Sequence, residues 1–157
     1  MTQEQKELLL EDLSARLPYG VKILHQGWNY EWDQELSTLE KVIGIDERFI
    51  YTKVINDNGE EYTSSKHTIA LLDDKPYLFP LSSMTDELWD KEFMGCGITE
   101  FTRDSFKYGC ETLEFNNSNP SLSSMVRFTN LLIKNHFDIH GLIPMGLAID
   151  ASKLNIY

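Results

Sequence analysis

The stretch Lys75-Pro76-Tyr77-Leu78-Phe79-Pro80-Leu81-Ser82-Ser83-Met84-Thr85-Asp86-Glu87-Leu88-Trp89 decides how this chain folds. Before it, apolar residues recur in strand-like runs; after it, they recur mostly at helical spacing. Pro76 and Pro80 have no N–H to give to a ladder, so the strand between them must be short or lie at an edge. Thr85 reads as an N-cap, its hydroxyl accepting from an N–H of the first turn. Asp86 and Glu87 follow where the positive helix end favours carboxylates. Met84 and Trp89 have the spacing of a hydrophobic staple. The stretch predicts a last short strand turning into a helix, a corner that packs two halves together. A ligand site at that helix N-terminus, lined by Ser82, Ser83 and Thr85, is the sharper alternative.

Upstream, residues 2–17 read as a helix. Thr2 and Gln5 have capping-box spacing, Leu9 or Leu10 with Leu13 and Leu17 make an apolar stripe, and Pro18 and Gly20 stop it. Glu4, Lys6, Glu7, Glu11 and Asp12 fall mostly on the other face. Residues 21–25 form a first strand. Gly27-Trp28-Asn29-Tyr30-Glu31-Trp32-Asp33 then reads as an aromatic and acidic loop. Residues 39–45 and 48–55 are the clearest strands, the second rich in β-branched and aromatic residues. Asp46-Glu47 joins them tightly. Asn56-Asp57-Asn58-Gly59 is a hairpin turn, since Asn and Gly tolerate positive φ. Residues 60–63 pair back, Ser64-Ser65-Lys66 reads as a break, 67–72 as another strand, and 77–81 as the return. The segment 21–81 thus carries five or six short antiparallel strands, whose twist curls them into an antiparallel β-meander or an SH3-like small barrel.

Downstream, residues 86–93 read as a helix ended by Gly95 and Gly97. Residues 98–118 are open between helix and irregular structure. Residues 121–135 form the best C-terminal helix, with Leu122, Met125, Val126, Leu132 and Ile133 at helical spacing and Phe128 and Leu131 widening the stripe. The last seven residues are expected to fray. The fold class is α+β in one domain over 1–157: an N-terminal helix in 1–20, antiparallel strands in 21–84 and a mainly helical part in 85–157.

Composition narrows the function. A 41% apolar and 11% aromatic content in 157 residues predicts a globular fold. No apolar run approaches the ~20 residues of a membrane span. Met1-Thr2-Gln3-Glu4-Gln5 has neither a basic n-region nor an apolar h-region, which predicts the cytoplasm of the producing cell. Cys96 and Cys110 are then expected to be reduced, and neither belongs to a C-x-x-C pair. The net charge of −11 leaves no basic stripe for displacing counterions from nucleic acid, so direct nucleic-acid readout is not expected. A basic protein surface is the partner such a charge attracts.

Three parts of the chain carry a resemblance. They are residues 134–143 with Gly146-Leu147-Ala148-Ile149-Asp150-Ala151, residues 10–22, and the junction from Lys75-Pro76-Tyr77 to Ser82-Ser83-Met84-Thr85. Together they resemble a group of short uncharacterised proteins carried by phages and mobile elements of gut Bacteroides-type bacteria. The resemblance implies a phage or prophage origin and a host-cell cytoplasmic setting. It implies no established activity, so it carries no residue roles; where the group is expected to have a Tyr-Arg pair this chain has Ile139-His140, and nothing is made to depend on His140.

Candidate chemistry is sparse. His136, Asp138 and His140 are the nearest approach to a metal constellation, but Gly141 and Pro144 suggest a helix end, with Gly141 in the left-handed position. His25 and His67 read as polar-face strand residues. A Ser82, His67 and Asp73 triad has no G-x-S-x-G to support it. Cys96 between two glycines can expose a thiol. No phosphate-binding glycine motif is present. The reading therefore assigns no catalytic residue, no metal and no cofactor. It favours a non-enzymatic accessory protein binding a host or phage protein through Trp28, Tyr30 and Trp32, because Trp and Tyr concentrate at binding hot spots. The alternatives are a counter-defence sponge for a small nucleotide signal and a small hydrolase; an oligomer is compatible with each.

Overall fold

A computed structural model describes residues 1–29, 33–69, 74–94 and 121–157. Helix α1 (Gln3–Arg16) starts as its sequence predicts. The Thr2 hydroxyl accepts from Gln5 N–H at 3.2 Å, and the Gln5 side chain accepts from Thr2 N–H at 2.8 Å. A 3-10 turn, Leu17–Tyr19, and Gly20 at φ 72° end it. The buried stripe is Leu9, Asp12, Leu13 and Arg16, a spacing of three, four and seven. Asp12 thus lies on the packed face, not the solvent face expected of it, because Arg16 neutralises it there.

Among the described residues six strands follow: β1 (Lys22–Asn29), β2 (Gln34–Ile45), β3 (Phe49–Ile55), β4 (Glu61–Thr68), β5 (Lys75–Leu78) and β6 (Ile149–Asp150). Their order is β4-β3-β2-β1-β5-β6. The pairings β1–β2, β2–β3, β3–β4 and β1–β5 are all antiparallel. With α1 and the C-terminal helix, the protein is α+β. The turns behave as read. Asp46 Oδ1 accepts from the N–H groups of Arg48 and Phe49, and Asn56 Oδ1 from those of Asn58 and Glu60, with Gly59 at φ 81°.

Three expectations are corrected here. Ser64-Ser65-Lys66 is no break: these residues pair with Lys53, Thr52 and Tyr51, and β4 runs straight through. Serines interrupt a strand only if their hydroxyls capture local backbone, and a full partner strand outcompetes that. The supposed loop from Gly27 begins as strand, with Gly27, Trp28 and Asn29 opposite Leu36, Glu35 and Gln34, while residues 30–32 fall outside the described residues. The chain end does not fray. Tyr157 O–H donates to the Tyr77 carbonyl at 2.9 Å and accepts from Lys22 N–H at 3.2 Å. Although 42% of Tyr157 is exposed, its hydroxyl is held by both of these hydrogen bonds, and burial pushes its pKa up to about 12.

The sheet is strongly curled. In a flat sheet β1 and β4 stand three strand spacings apart, roughly 14 Å, with side chains perpendicular to the plane. Yet the ring centroids of His25 on β1 and His67 on β4 are 3.8 Å apart. Twist and coiling bring the inward side chains together. β1 to β4 pair in sequence as an antiparallel meander, and among the described residues no pairing joins β4 to β5 or β6.

The chain groups into two compact units: Met1–Tyr77 with His140–Ile149 and Asn155–Tyr157, and Leu78–Ile139 with Asp150–Leu154. The second unit holds the junction from Leu78 onward. Thr85 Oγ1 accepts from Leu88 N–H, capping a single α turn, α2 (Asp86–Leu88), which passes into a π turn over Trp89–Phe93. Helix α3 (Leu122–Lys134) is capped by Ser121. Met84, Trp89, Phe93, Phe128, Leu132 and Phe137 form the core, with Trp89 and Phe93 stacked at 5.2 Å and both edge-on to Phe128. The staple residues Met84 and Trp89 meet there as predicted. The α3 stripe is turned from its expected face: Phe128 and Leu132 are buried, while Leu122, Met125 and Val126 are exposed. No helix among the described residues is long and apolar enough to cross a membrane.

Candidate functional site

Burial alternates along β3, which puts Ile50, Thr52 and Val54 inward. Register carries that face across the sheet, because directly opposed residues point to the same side. Val54 lies opposite Glu40, Glu40 opposite Ile23, Thr38 opposite His25, and Ile50 opposite His67. The face that buries Ile23, Val42, Ile50 and Val54 therefore also carries His25, Thr38, Glu40, Thr52 and His67. His25 and His67 were expected as polar-face residues; they lie on the packed face because their strand phase is that of Ile23 and Ile50.

Every polar atom of Glu40 is engaged. Its Oε1 accepts from Thr38 Oγ1 at 2.7 Å; its Oε2 accepts from Thr52 Oγ1 and stands 2.6 Å from His67 Nε2. Thr52 Oγ1 is also 3.1 Å from that nitrogen. Burial alone would raise the Glu40 pKa. The hydrogen bonds from His67, Thr52 and Thr38 outweigh it and hold the carboxyl at about 2. For His67 burial again opposes the charged form, but the Glu40 hydrogen bond and the charges of Glu40 and Asp74 win, and the imidazole pKa is raised. Asp74, buried just before β5, holds His25 Nδ1 at 2.6 Å. His25, His67 and Asp74 offer ligand atoms that all lie within 4.8 Å of one another.

These groups can hold protons or a cation. The imidazoles, tilted at 32° with centroids 3.8 Å apart, leave no space between them for a scissile group, so they are poorly placed to act as acid and base from two sides of a substrate. Sequence reasoning missed the set because the members are scattered from position 25 to position 74 and only register and curl unite them. A usable signal did exist: Glu40 and Thr52 occupy apolar phases of otherwise strong strands.

The β1–β2 hairpin forms a second feature. Five rows, from His25↔Thr38 to Asn29↔Gln34, run past the last β1–β5 pair, at Leu24, and the last β2–β3 pair, at Glu40. Among the described residues this part is a two-stranded arm. Asp33 at φ 50° enters its returning strand, and Glu35, Leu36 and Ser37 are exposed along it. At its root a groove of about 570 Å³ is lined by Ser37, Val54, Asn56, Tyr62 and Ile156.

Of the partner-binding residues read from sequence, Trp28 lies on β1 opposite Glu35, while Tyr30 and Trp32 fall outside the described residues. Cys96, Asp73 and the ambiguous 98–118 segment also lie outside them. Ser82 is exposed on a 3-10 turn (Leu81–Ser83), and the carboxylate bound to His67 is Glu40. His136, Asp138 and His140 form no metal-ligating group among the described residues. His140 Nδ1 instead meets Asp12 Oδ1 at 3.0 Å. His136, at φ 59°, takes the left-handed position that closes α3. Its N–H bonds Ile133 O and that of Phe137 bonds Leu132 O, both at 3.0 Å. Gly141 is left-handed too, at φ 70°, but it lies beyond that cap. Comparison with protein-family models, with curated proteins and with solved structures gives no match in any of the three.

Proposed function

We propose that this chain is a non-enzymatic accessory protein of a phage or mobile element, working in the host cytoplasm. On this reading it captures a protein with a basic surface through Trp28, Tyr30 and Trp32. The observation that supports it is the arm of β1 and β2, five paired rows with no third strand among the described residues. Two strands alone are at best marginally stable in water, so such an extension is retained at a cost that a bound partner would offset. Its sequence carries two tryptophans and a tyrosine within five residues, beside Glu31, Asp33 and Glu35. Aromatic anchors supply contact area at low entropic cost, and the net charge of −11 steers a basic surface toward them.

The test is affinity capture from infected cells with the wild-type chain and with a Trp28→Ala, Tyr30→Ala, Trp32→Ala variant, compared by quantitative mass spectrometry. Circular dichroism melts confirm that both fold. The reading expects a basic protein recovered by the wild type and lost with the variant. Recovery of the same proteins by both removes the site, and a co-purifying nucleotide in place of a protein favours the sponge.

A further inference from the structure

The geometry points to a binding site for one divalent d-block cation of the zinc type, formed by His25, His67 and Asp74, with Glu40 fixing the His67 ring.

The donor set has the right chemistry. Two imidazole nitrogens and one carboxylate oxygen suit zinc, cobalt, nickel or iron, whereas magnesium and calcium prefer oxygen alone. The spacing is close to what binding needs. Ligand atoms about 2.1 Å from a tetrahedral ion stand roughly 3.4 Å from each other. The three side chains offer atoms within 4.8 Å of one another, and His25 Nδ1 and Asp74 Oδ1 are already 2.6 Å apart, the separation of two groups sharing a proton. A cation entering there replaces that proton and asks for shifts of about an ångström, within rotamer reach.

The surroundings are those of a prepared site. Glu40 falls outside the ligand set but holds His67 Nε2 at 2.6 Å, and is itself held by Thr38 and Thr52. A neutral ring that donates Nε2–H to a carboxylate keeps its Nδ1 lone pair for a metal; carboxylates play this orienting part beside metal-bound histidines. The two buried carboxylates, Glu40 and Asp74, supply negative charge beside the buried apolar side chains of Ile23, Val42, Ile50 and Val54. Access is open, since the side chains of His25 and His67 are 25% and 12% exposed. Gly27 leaves the outer edge of His25 clear: a Cβ there would stand 2.9 Å from His25 Nε2. Three protein ligands with solvent access leave at least one position for water or a partner's side chain.

The experiment uses tag-free full-length chain, stripped with chelator, and Zn2+ alone as the probe in calorimetry, with Co2+ absorption as a second readout. One equivalent should bind, and Co2+ should give visible bands of a four- or five-coordinate site. His25→Ala, His67→Ala and Asp74→Asn should each abolish binding, and Glu40→Gln should weaken it about 10- to 100-fold. Because a variant of this face can fail to fold, ring-nitrogen NMR of the wild type is read as well. On Zn2+ addition the His25 and His67 signals should move and those of His136 and His140 should not. No Zn2+ binding by the wild type, unchanged binding in variants that melt like it, or shifts confined to His136 or His140 would each overturn the site and leave a closed ion-pair network.

Discussion

Arg16 donates from Nε and Nη2 to the two oxygens of Asp12, at 2.7 and 2.8 Å, in a pair whose side chains are 0% and 1% exposed. His140 adds a third contact to the same carboxylate. Charges this deep are tolerated only while each has its partner. Asp12→Ala should therefore cost about 3–5 kcal/mol, because it removes both hydrogen bonds this carboxylate accepts from the buried guanidinium. Urea titration of the variant checks this. A loss below about 1 kcal/mol, the range of an exposed pair, would mean that Arg16 finds another partner.

Glu40 and His67 give the fold a pH dependence with a defined sign. The Glu40 carboxyl sits at about 2 against an ordinary 4.5, so its contribution is complete above pH 4.5 and lost as pH falls toward 2. His67 is raised above 6.5, so its contribution is complete below pH 6.5 and lost as pH climbs through the folded value. The pair stabilises most between those limits. In metal-free protein, the stability difference between wild type and Glu40→Gln should be largest near pH 5.5 and shrink at about pH 3 and pH 9. A difference that does not change with pH would sink this account.

The left-handed His136 offers a backbone test. Its ring is buried, so removing it costs packing whatever replaces it. Comparing His136→Ala with His136→Gly cancels that loss. Alanine at φ 59° keeps the Cβ clash and glycine has none, so the glycine variant should be the more stable by about 1 kcal/mol. Equal stabilities, measured by thermal and urea melts, would show that the cap relaxes.

The two faces of α3 should respond very differently. Phe128→Ala removes a fully buried ring that touches Trp89 and Phe93, and should cost about 3–5 kcal/mol. Val126→Ala and Met125→Ala, on the exposed side, should stay within about 0.5 kcal/mol. Large losses at Val126 would place a packing partner on that side.

Local rules made much of this architecture legible. Thr2 with Gln5, Asp46, Asn56 with Gly59, and Thr85 with Met84 and Trp89 each carry their own instructions within a few residues. What escaped needs long-range information. Ser64 and Ser65 look like a break until β3 lies alongside. The phase of α3 follows from its aromatic partners Trp89 and Phe93; its apolar residues cover more than half of the helix circumference, so their spacing alone did not select which of them would be buried. The buried pair was closer to reach, since Asp12 and Arg16 share the spacing of Leu9 and Leu13. The His25, His67 and Asp74 group was furthest from reach, being a product of curl.

The overhang of β1 and β2 has a consequence for how this protein must be handled by a cell. Both borders of that ribbon present backbone donors and acceptors with no neighbour among the described residues. Such borders accept any extended chain, including a second copy of themselves. On the proposed reading, supply of the protein would have to be matched to supply of the partner that covers the ribbon; in excess, the same open borders would let it stack on its own kind.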